Sequence, residues 1–212
     1  IKYMNQIIIT EPNQGSDAWK QEKMGYVSAG SVSDVLATGR GSAESKVRES
    51  YKWEIVTQRL TGIRTDGFVS DAMTWGIETE PLARIQYEVK YNTFVEQAGF
   101  IKHPNFEWLG ASPDGLVGSD GLVEIKCPNT KTHLQTLINN KVPTQYIPQM
   151  QCQMEVIGRD WCDFISYDPR LNEPLRFFCK RVVRDDEYIS SMKIEVAKFL
   201  EEVELLIIKL KG

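Results

Sequence analysis

Two acids and a lysine near the middle of the chain are the residues best spaced to do chemistry. Asp114, within Ser112-Pro113-Asp114-Gly115, is followed after nine intervening residues by Glu124, and Glu124-Ile125-Lys126 continues from there. Carboxylate oxygens suit hard divalent cations, and magnesium is usually held by one or two carboxylates plus water and phosphate oxygens. The carbonyl of Ile125 offers one more oxygen ligand, and Lys126 is placed to hold or polarise an attacking water. A metal, a generated nucleophile and a fixed in-line geometry are what phosphodiester hydrolysis requires. Alone, however, a Glu-x-Lys pair is more often a solvated cross-strand ion pair, and Asp-Gly more often a plain turn.

Two further segments carry groups such a site would use. Trp75-Gly76-Ile77-Glu78-Thr79-Glu80-Pro81-Leu82-Ala83-Arg84 puts Glu80 on a helix, where it can add a carboxylate near the metal. Its plainer reading is a first-turn acid favoured by the helix dipole. Gln145-Tyr146-Ile147-Pro148-Gln149-Met150-Gln151 offers Gln149 to orient the water or to hold a phosphate oxygen.

The elements that must position these groups follow from pattern. Leu122 to Lys126 alternates as a strand does, with Leu122, Glu124 and Lys126 on one face and Val123 and Ile125 on the other. Ser119-Asp120-Gly121 is a hairpin turn signal in front of it, and Pro128 ends it. Strands are also predicted from Thr93, over Trp108–Ala111, over Asp163–Tyr167 and over Arg176–Val183. Helices are predicted over Asp17–Lys23, after a turn at Ser28–Ser31, over Ser45–Leu60, over Asp71–Tyr91, over Tyr146–Val156 and over Asp185–Leu210. The Asp71–Tyr91 helix is expected to bury Trp75, Leu82, Ile85 and Val89 as its apolar face, with Pro81 tolerable only near a first turn. Gly39-Arg40-Gly41-Ser42 reads as a loop. Helices followed by strands mixed with helices indicate an α/β (α+β) class, a central mixed sheet flanked by helices, in a single domain over 1–212.

Taken together, Trp75-Gly-x-x-x-Glu80, Ser112-Pro-Asp114-Gly, Glu124-x-Lys126-Cys-Pro and Tyr146-x-x-Gln149 resemble the phage lambda-type exonuclease family, also called YqaJ-like viral recombinases. That family lies within the PD-(D/E)xK nucleases of restriction-endonuclease-like fold. The similarity runs from about Gly15 to the last helix and includes Asp17-x-Trp19 and Tyr167-Asp168-Pro169-Arg170. It implies a magnesium-dependent, ATP-independent exonuclease, with manganese as a substitute metal. Such an enzyme digests one strand of duplex DNA from 5′ to 3′, releases mononucleotides and leaves a 3′ single-stranded tail. It further implies a homotrimeric ring around double-stranded DNA ends and a single-strand annealing protein as partner, in a phage- or prophage-encoded protein of the bacterial cytoplasm. In that scheme Asp114 and Glu124 carry the metal, Lys126 the water, and Glu80 and Gln149 support them. Four residues after Trp19, where the lambda enzyme has an arginine for the 5′-phosphate, this chain has Lys23, a point charge without the planar fork. Ser28 and Arg40 are candidate helpers at that pocket.

Composition permits this reading. The 212 residues carry 42% hydrophobic and 25% charged residues and a net charge of -4, ordinary for one domain that buries roughly 70% of its unfolded surface. Arg40 to Arg64 carries +3 and Asp185 to Lys211 carries -3, compatible with a basic mouth on an acidic body, although each run is by default a solvated helix face. No apolar run approaches the ~20 residues of a membrane span, and no export leader is expected; Ile1-Lys2-Tyr3 precede Met4, a candidate natural start. Cys127, Cys152, Cys162 and Cys179 form no CxxC pair and have only two His for company. Free thiols in a reducing compartment are therefore expected, rather than a zinc or iron–sulfur site. The rival functions are an endonuclease or repair nuclease of the same fold, a catalytically inactive DNA-binding subunit, and a small-phosphoester hydrolase.

Overall fold

A computed structural model describes residues 14–39, 44–64 and 70–212. Arg40 therefore lies outside the described residues, as do Met4 and most of the predicted 39–42 loop. The chain runs α1 (Asp17–Glu22), β1 (Val27–Ser28), a 3-10 turn, α2 (Val32–Val35), α3 (Lys46–Thr61) and α4 (Asp71–Tyr91). It continues through β2 (Val95–Glu96), β3 (Ile101–Lys102), β4 (Leu109–Ala111), β5 (Gly115–Val117), β6 (Gly121–Lys126) and α5 (Thr130–Asn139). It ends with α6 (Ile147–Ile157), β7 (Trp161–Tyr167), β8 (Phe177–Val183) and α7 (Asp186–Lys211). The main sheet has the order β2-β5-β6-β7-β8. The β6–β7 pair is parallel and the other three pairs are antiparallel. A smaller sheet, β1-β4-β3, stands beside it. The expected α/β class with a mixed sheet flanked by helices is what the chain adopts.

β6 is the centre of the design. A parallel neighbour demands a crossover, and residues 127–160 supply it through α5 and α6. That crossover covers one face of β6, so Leu122 joins Phe164, Met150, Met154 and Cys152 in the larger core. On the other face Val123 and Ile125 pack with Ile165, Tyr167, Phe177, Ala83 and Tyr87, beneath α4. The predicted alternation of β6 therefore holds, and with both faces covered Glu124 is as buried as its apolar neighbours.

The helix α4 keeps its predicted span but not its predicted face. Thr79, Ala83 and Tyr87 turn inward, while Leu82, Ile85 and Val89 are 49%, 56% and 73% exposed. The physical reason is close approach: small Thr79 and Ala83 let the helix lie near β6 and bring Glu80 and Arg84 to half-buried positions, and a row of Leu, Ile and Val would hold it off. The two charge runs also meet each other. Arg48 of α3 is bidentate to Glu202 of α7 at 2.7 and 2.8 Å, and Lys52 bonds Glu44 and Glu202 at 2.8 Å. Arg59 stacks 4.0 Å above Trp108. Arg48 and Lys52 of the basic run thus tie α3 to the acidic α7. All four cysteines are free thiols, Cys152 and Cys162 buried, Cys127 and Cys179 half-buried.

Candidate active site

The site lies where β5 and β6 part at the α6 side of the sheet. The hairpin register pairs Gly115 with Val123, which sets Asp114 opposite Glu124, the next pair along. There the Ile125 N–H donates to Asp114 Oδ2 at 2.6 Å, so β6 holds the acid opposite Glu124 by a main-chain bond. The turn before Asp114 is pinned from the amino-terminal side. Gln14 Nε2 donates to the Pro113 carbonyl at 2.7 Å and to the Ala98 carbonyl at 3.0 Å. Trp19 Nε1 donates to Ser112 Oγ at 2.9 Å. The distant Trp19 and Ser-Pro-Asp-Gly motifs are therefore one structure, and Ser16 caps the short helix that presents Trp19.

Glu124 has no exposed surface, and every partner it has is a donor. Its Oε1 accepts from Gln149 Nε2 at 2.8 Å and faces Lys126 Nζ at 2.5 Å, and its Oε2 accepts from Gln153 Nε2 at 2.7 Å. Gln149 and Gln153 stand one turn apart on α6 and reach the two oxygens like a two-pronged clamp. Gln153 is fully buried and its own carbonyl oxygen has no partner. It escaped the sequence reading because it follows the motif; four-residue spacing from Gln149 on a helix facing Glu124 was the available signal.

The charges are tightly balanced. Burial, then the neighbouring Glu124, pushes the Asp114 carboxyl well above the usual carboxylate range. Burial and Glu124 also raise Glu80, against the pull of Arg84, to which it is ion-paired. Burial works against the charge of Lys126, but Glu124 and Asp114 outweigh it and hold the ammonium firmly protonated. Cys127 is pushed up to about 12 by burial and by Glu80 and Asp114, so it is an inert thiol at neutral pH.

Lys23 is linked to the turn before Asp114 through Trp19. Lys23 Nζ sits 4.0 Å over the Trp19 ring, and burial, with Arg64 adding, lowers its pKa to about 8. Ser28 ends β1 with its N–H donating to Tyr51 Oη at 3.4 Å, and no hydrogen bond joins it to Lys23 among the described residues. The Tyr167-Asp168-Pro169-Arg170 segment has a structural task beside the site. Buried Asp168 accepts from Thr130 Oγ1 at 2.6 Å and from Arg170 Nε at 2.8 Å, pinning the start of α5 to the end of β7.

The donor set fits a hard cation. Two carboxylates face each other across the hairpin, both desolvated and one with its proton affinity raised by the other, a repulsion that a divalent ion would relieve. Among the described residues no three His, Cys, Asp or Glu side chains converge as a metal cage; Glu80 is engaged by Arg84 instead. The remaining positions would fall to Ile125, water or phosphate.

A model of the YqaJ-like viral recombinase domain matches residues 18–160. No curated protein matches the chain. Among solved structures, LHK-Exo in complex with dAMP superposes with a TM-score of 0.86 at 43% identity, covering 92% of this chain and 96% of that one. LHK-Exo itself, an alkaline exonuclease from Laribacter hongkongensis, gives 0.85 at 43% identity with 92% and 96% covered. A phage-related exonuclease from Haemophilus somnus 129PT gives 0.69 at 17% identity, with 87% and 96% covered, a likeness of fold.

Proposed function

Because the chain belongs to the YqaJ-like viral recombinase domain family, whose relatives at 43% identity are alkaline exonuclease structures, we propose that it is a magnesium-dependent exonuclease of linear duplex DNA. It digests one strand from 5′ to 3′, releases mononucleotides and leaves a 3′ tail for a strand-annealing partner. The observation that carries this reading is the meeting of Asp114, Glu124 and Lys126 at one point, with Glu124 clamped by Gln149 and Gln153. A bound magnesium would supply charge neutralisation at the scissile phosphate and acidify a water.

The protein groups do the rest. The α6 amides fix the rotamer of Glu124, so its oxygens are oriented before substrate arrives. The Lys126 ammonium, held at Glu124, donates to the attacking water or to a phosphate oxygen and steadies charge as it develops. Its strong protonation suits it to these roles and not to removing a proton. Lys23, capped by the Trp19 ring and connected through Ser112 to Asp114, is the cation for a terminal 5′-phosphate one nucleotide away. Crystallisation of LHK-Exo with dAMP agrees with a mononucleotide product. The solvent-facing apolar row Ile77, Ile85, Leu82 and Val89 on α4 is a surface an assembled ring would cover.

The test is magnesium-dependent digestion of duplex labelled on one strand, comparing 5′-phosphorylated, 5′-hydroxyl and closed circular forms. Mononucleotide release favouring the 5′-phosphorylated end, with circles spared, supports the reading. Cutting of circles would turn the same site into an endonuclease.

A further inference from the structure

A cavity of about 400 Å³ opens beside Lys126, between α5 and the segment leading into α6. Of its lining residues only Lys126 has a role in the chemistry above. It lies on the β7 side of β6, with Phe164 and Ser166 in its floor. Asp114, Ser112, Trp19 and Lys23 lie on the opposite, β5 side. A DNA strand whose end rests at Lys23 and whose first phosphodiester crosses the two carboxylates must therefore run on over Lys126 into this cavity. From this placement we propose that the cavity holds the nucleotide on the 3′ side of the scissile bond, its base stacked on Tyr146.

The walls have the chemistry for such an occupant. Tyr146 is stacked on buried Phe164, ring centroids 5.3 Å apart at 24°, and Lys126 Nζ lies 5.3 Å from its ring centroid, so its ring is already fixed in place beside that ammonium and costs little to order. Stacking on an aromatic face tolerates any base. Gln135, Asn139 and Gln145 line the same space, and their side chains make no hydrogen bond to other described residues, unlike those of Gln149 and Gln153. They are unspent donors and acceptors for base edges and sugar, and Lys141 at the rim supplies a cation for the next phosphate. The volume is that of a small-ligand pocket, typically about 300–1,000 Å³. A base seated here would also hold the strand in line at the metal, so that the cavity contributes to rate and not only to grip.

The proposal rests on the exonuclease reading, and single-turnover release of the first nucleotide separates the two. Duplexes with a 5′-phosphate would carry a tetrahydrofuran abasic residue at the first, second or third position. Wild-type protein should release the first nucleotide about tenfold more slowly when the second base is missing, the scale of one lost stacking contact. Gln135→Trp, which fills the cavity from an exposed helix position, should slow the intact duplex by a similar factor and then ignore the missing second base. Gln145→Ala, on the exposed loop, should shrink the abasic penalty to about threefold by removing one polar contact. A second-position abasic residue without effect would overturn the subsite, as would a penalty confined to the first position or one that survives undiminished in both variants. Wild-type protein that cleaves none of the duplexes would overturn the exonuclease reading, and the subsite with it.

Discussion

Replacing Gln153 by Met removes one prong of the Glu124 clamp while keeping length and volume. The lost contact is a 2.7 Å bond to Glu124 Oε2, in a position with no exposed surface for water to take over. A hydrogen bond to a charged group is worth about 1.5–3 kcal/mol, and losing a partner that orients a metal ligand typically costs roughly 10–100-fold in metal affinity. We expect the magnesium dissociation constant to rise by that factor. The effect on folding is smaller, because the Gln153 carbonyl oxygen has no partner and its removal costs nothing. A net loss of about 1 kcal/mol would lower the melting temperature by roughly 2–4 °C for a chain of this length. Calorimetric titration of magnesium into the DNA-free protein reads the first quantity, and magnesium half-saturation of nuclease activity checks it. A lowered melting temperature with unchanged magnesium affinity and unchanged kcat would make Gln153 a packing residue and refute the clamp.

Three other perturbations probe neighbouring parts of the site. Gly115→Ala would place a methyl 2.0 Å from Val95 Cγ1 and 3.1 Å from Val123 Cγ2; at this packed position we expect about 1–3 kcal/mol of lost stability in denaturant melts, with magnesium affinity falling as Asp114 shifts. Because the Asp114 carboxyl is raised by burial and Glu124, protons compete with metal: magnesium affinity should climb with pH to above the usual carboxylate range, with proton release on binding measurable in buffers of different ionisation enthalpy. A pH-independent affinity would contradict that linkage. Lys23, lowered to about 8, carries its charge below that pH and loses it above, so the rate advantage of a 5′-phosphorylated end should fade in alkaline buffer and vanish at all pH values in Lys23→Ala. Equal fading in Lys23→Ala would assign the phosphate pocket to other residues.

How far the sequence led is best seen on β6 and α4. The strict alternation of Leu122 to Lys126 shows which side chains share a face, and the spans of α1, α3, α4, α6 and α7 followed from caps and periodicity. The face of α4 was misread because apolar periodicity reports a stripe, not what covers it: close packing favoured Thr79 and Ala83, and the Leu82–Ile85–Val89 row was left to solvent. α5 escaped because Thr130–Asn139 has little apolar content beyond Leu134, Leu137 and Ile138; buried His133, bonded to Ser166 Oγ at 2.7 Å and the Leu175 carbonyl at 2.8 Å, anchors it instead. β3 and β5 are two and three residues long, too short for a period-2 pattern to declare itself. At the site, Asp114, Glu124 and Lys126 were legible as types at a spacing. The Trp19–Ser112 bond joins residues 93 positions apart, which no local pattern encodes, whereas Gln153 was signalled only by its one-turn spacing from Gln149.

The most direct measurement is release of mononucleotides from linear 5′-phosphorylated duplex by wild-type protein, Asp114→Asn and Lys126→Ala, with binding of the same duplex followed in parallel. Asp114→Asn keeps an acceptor for the Ile125 N–H and removes the charge; Lys126→Ala removes the ammonium at Glu124. The account predicts that both variants bind duplex yet cleave it at least about 100-fold more slowly. Cleavage by either at the wild-type rate would contradict the assignment of the reaction to this site.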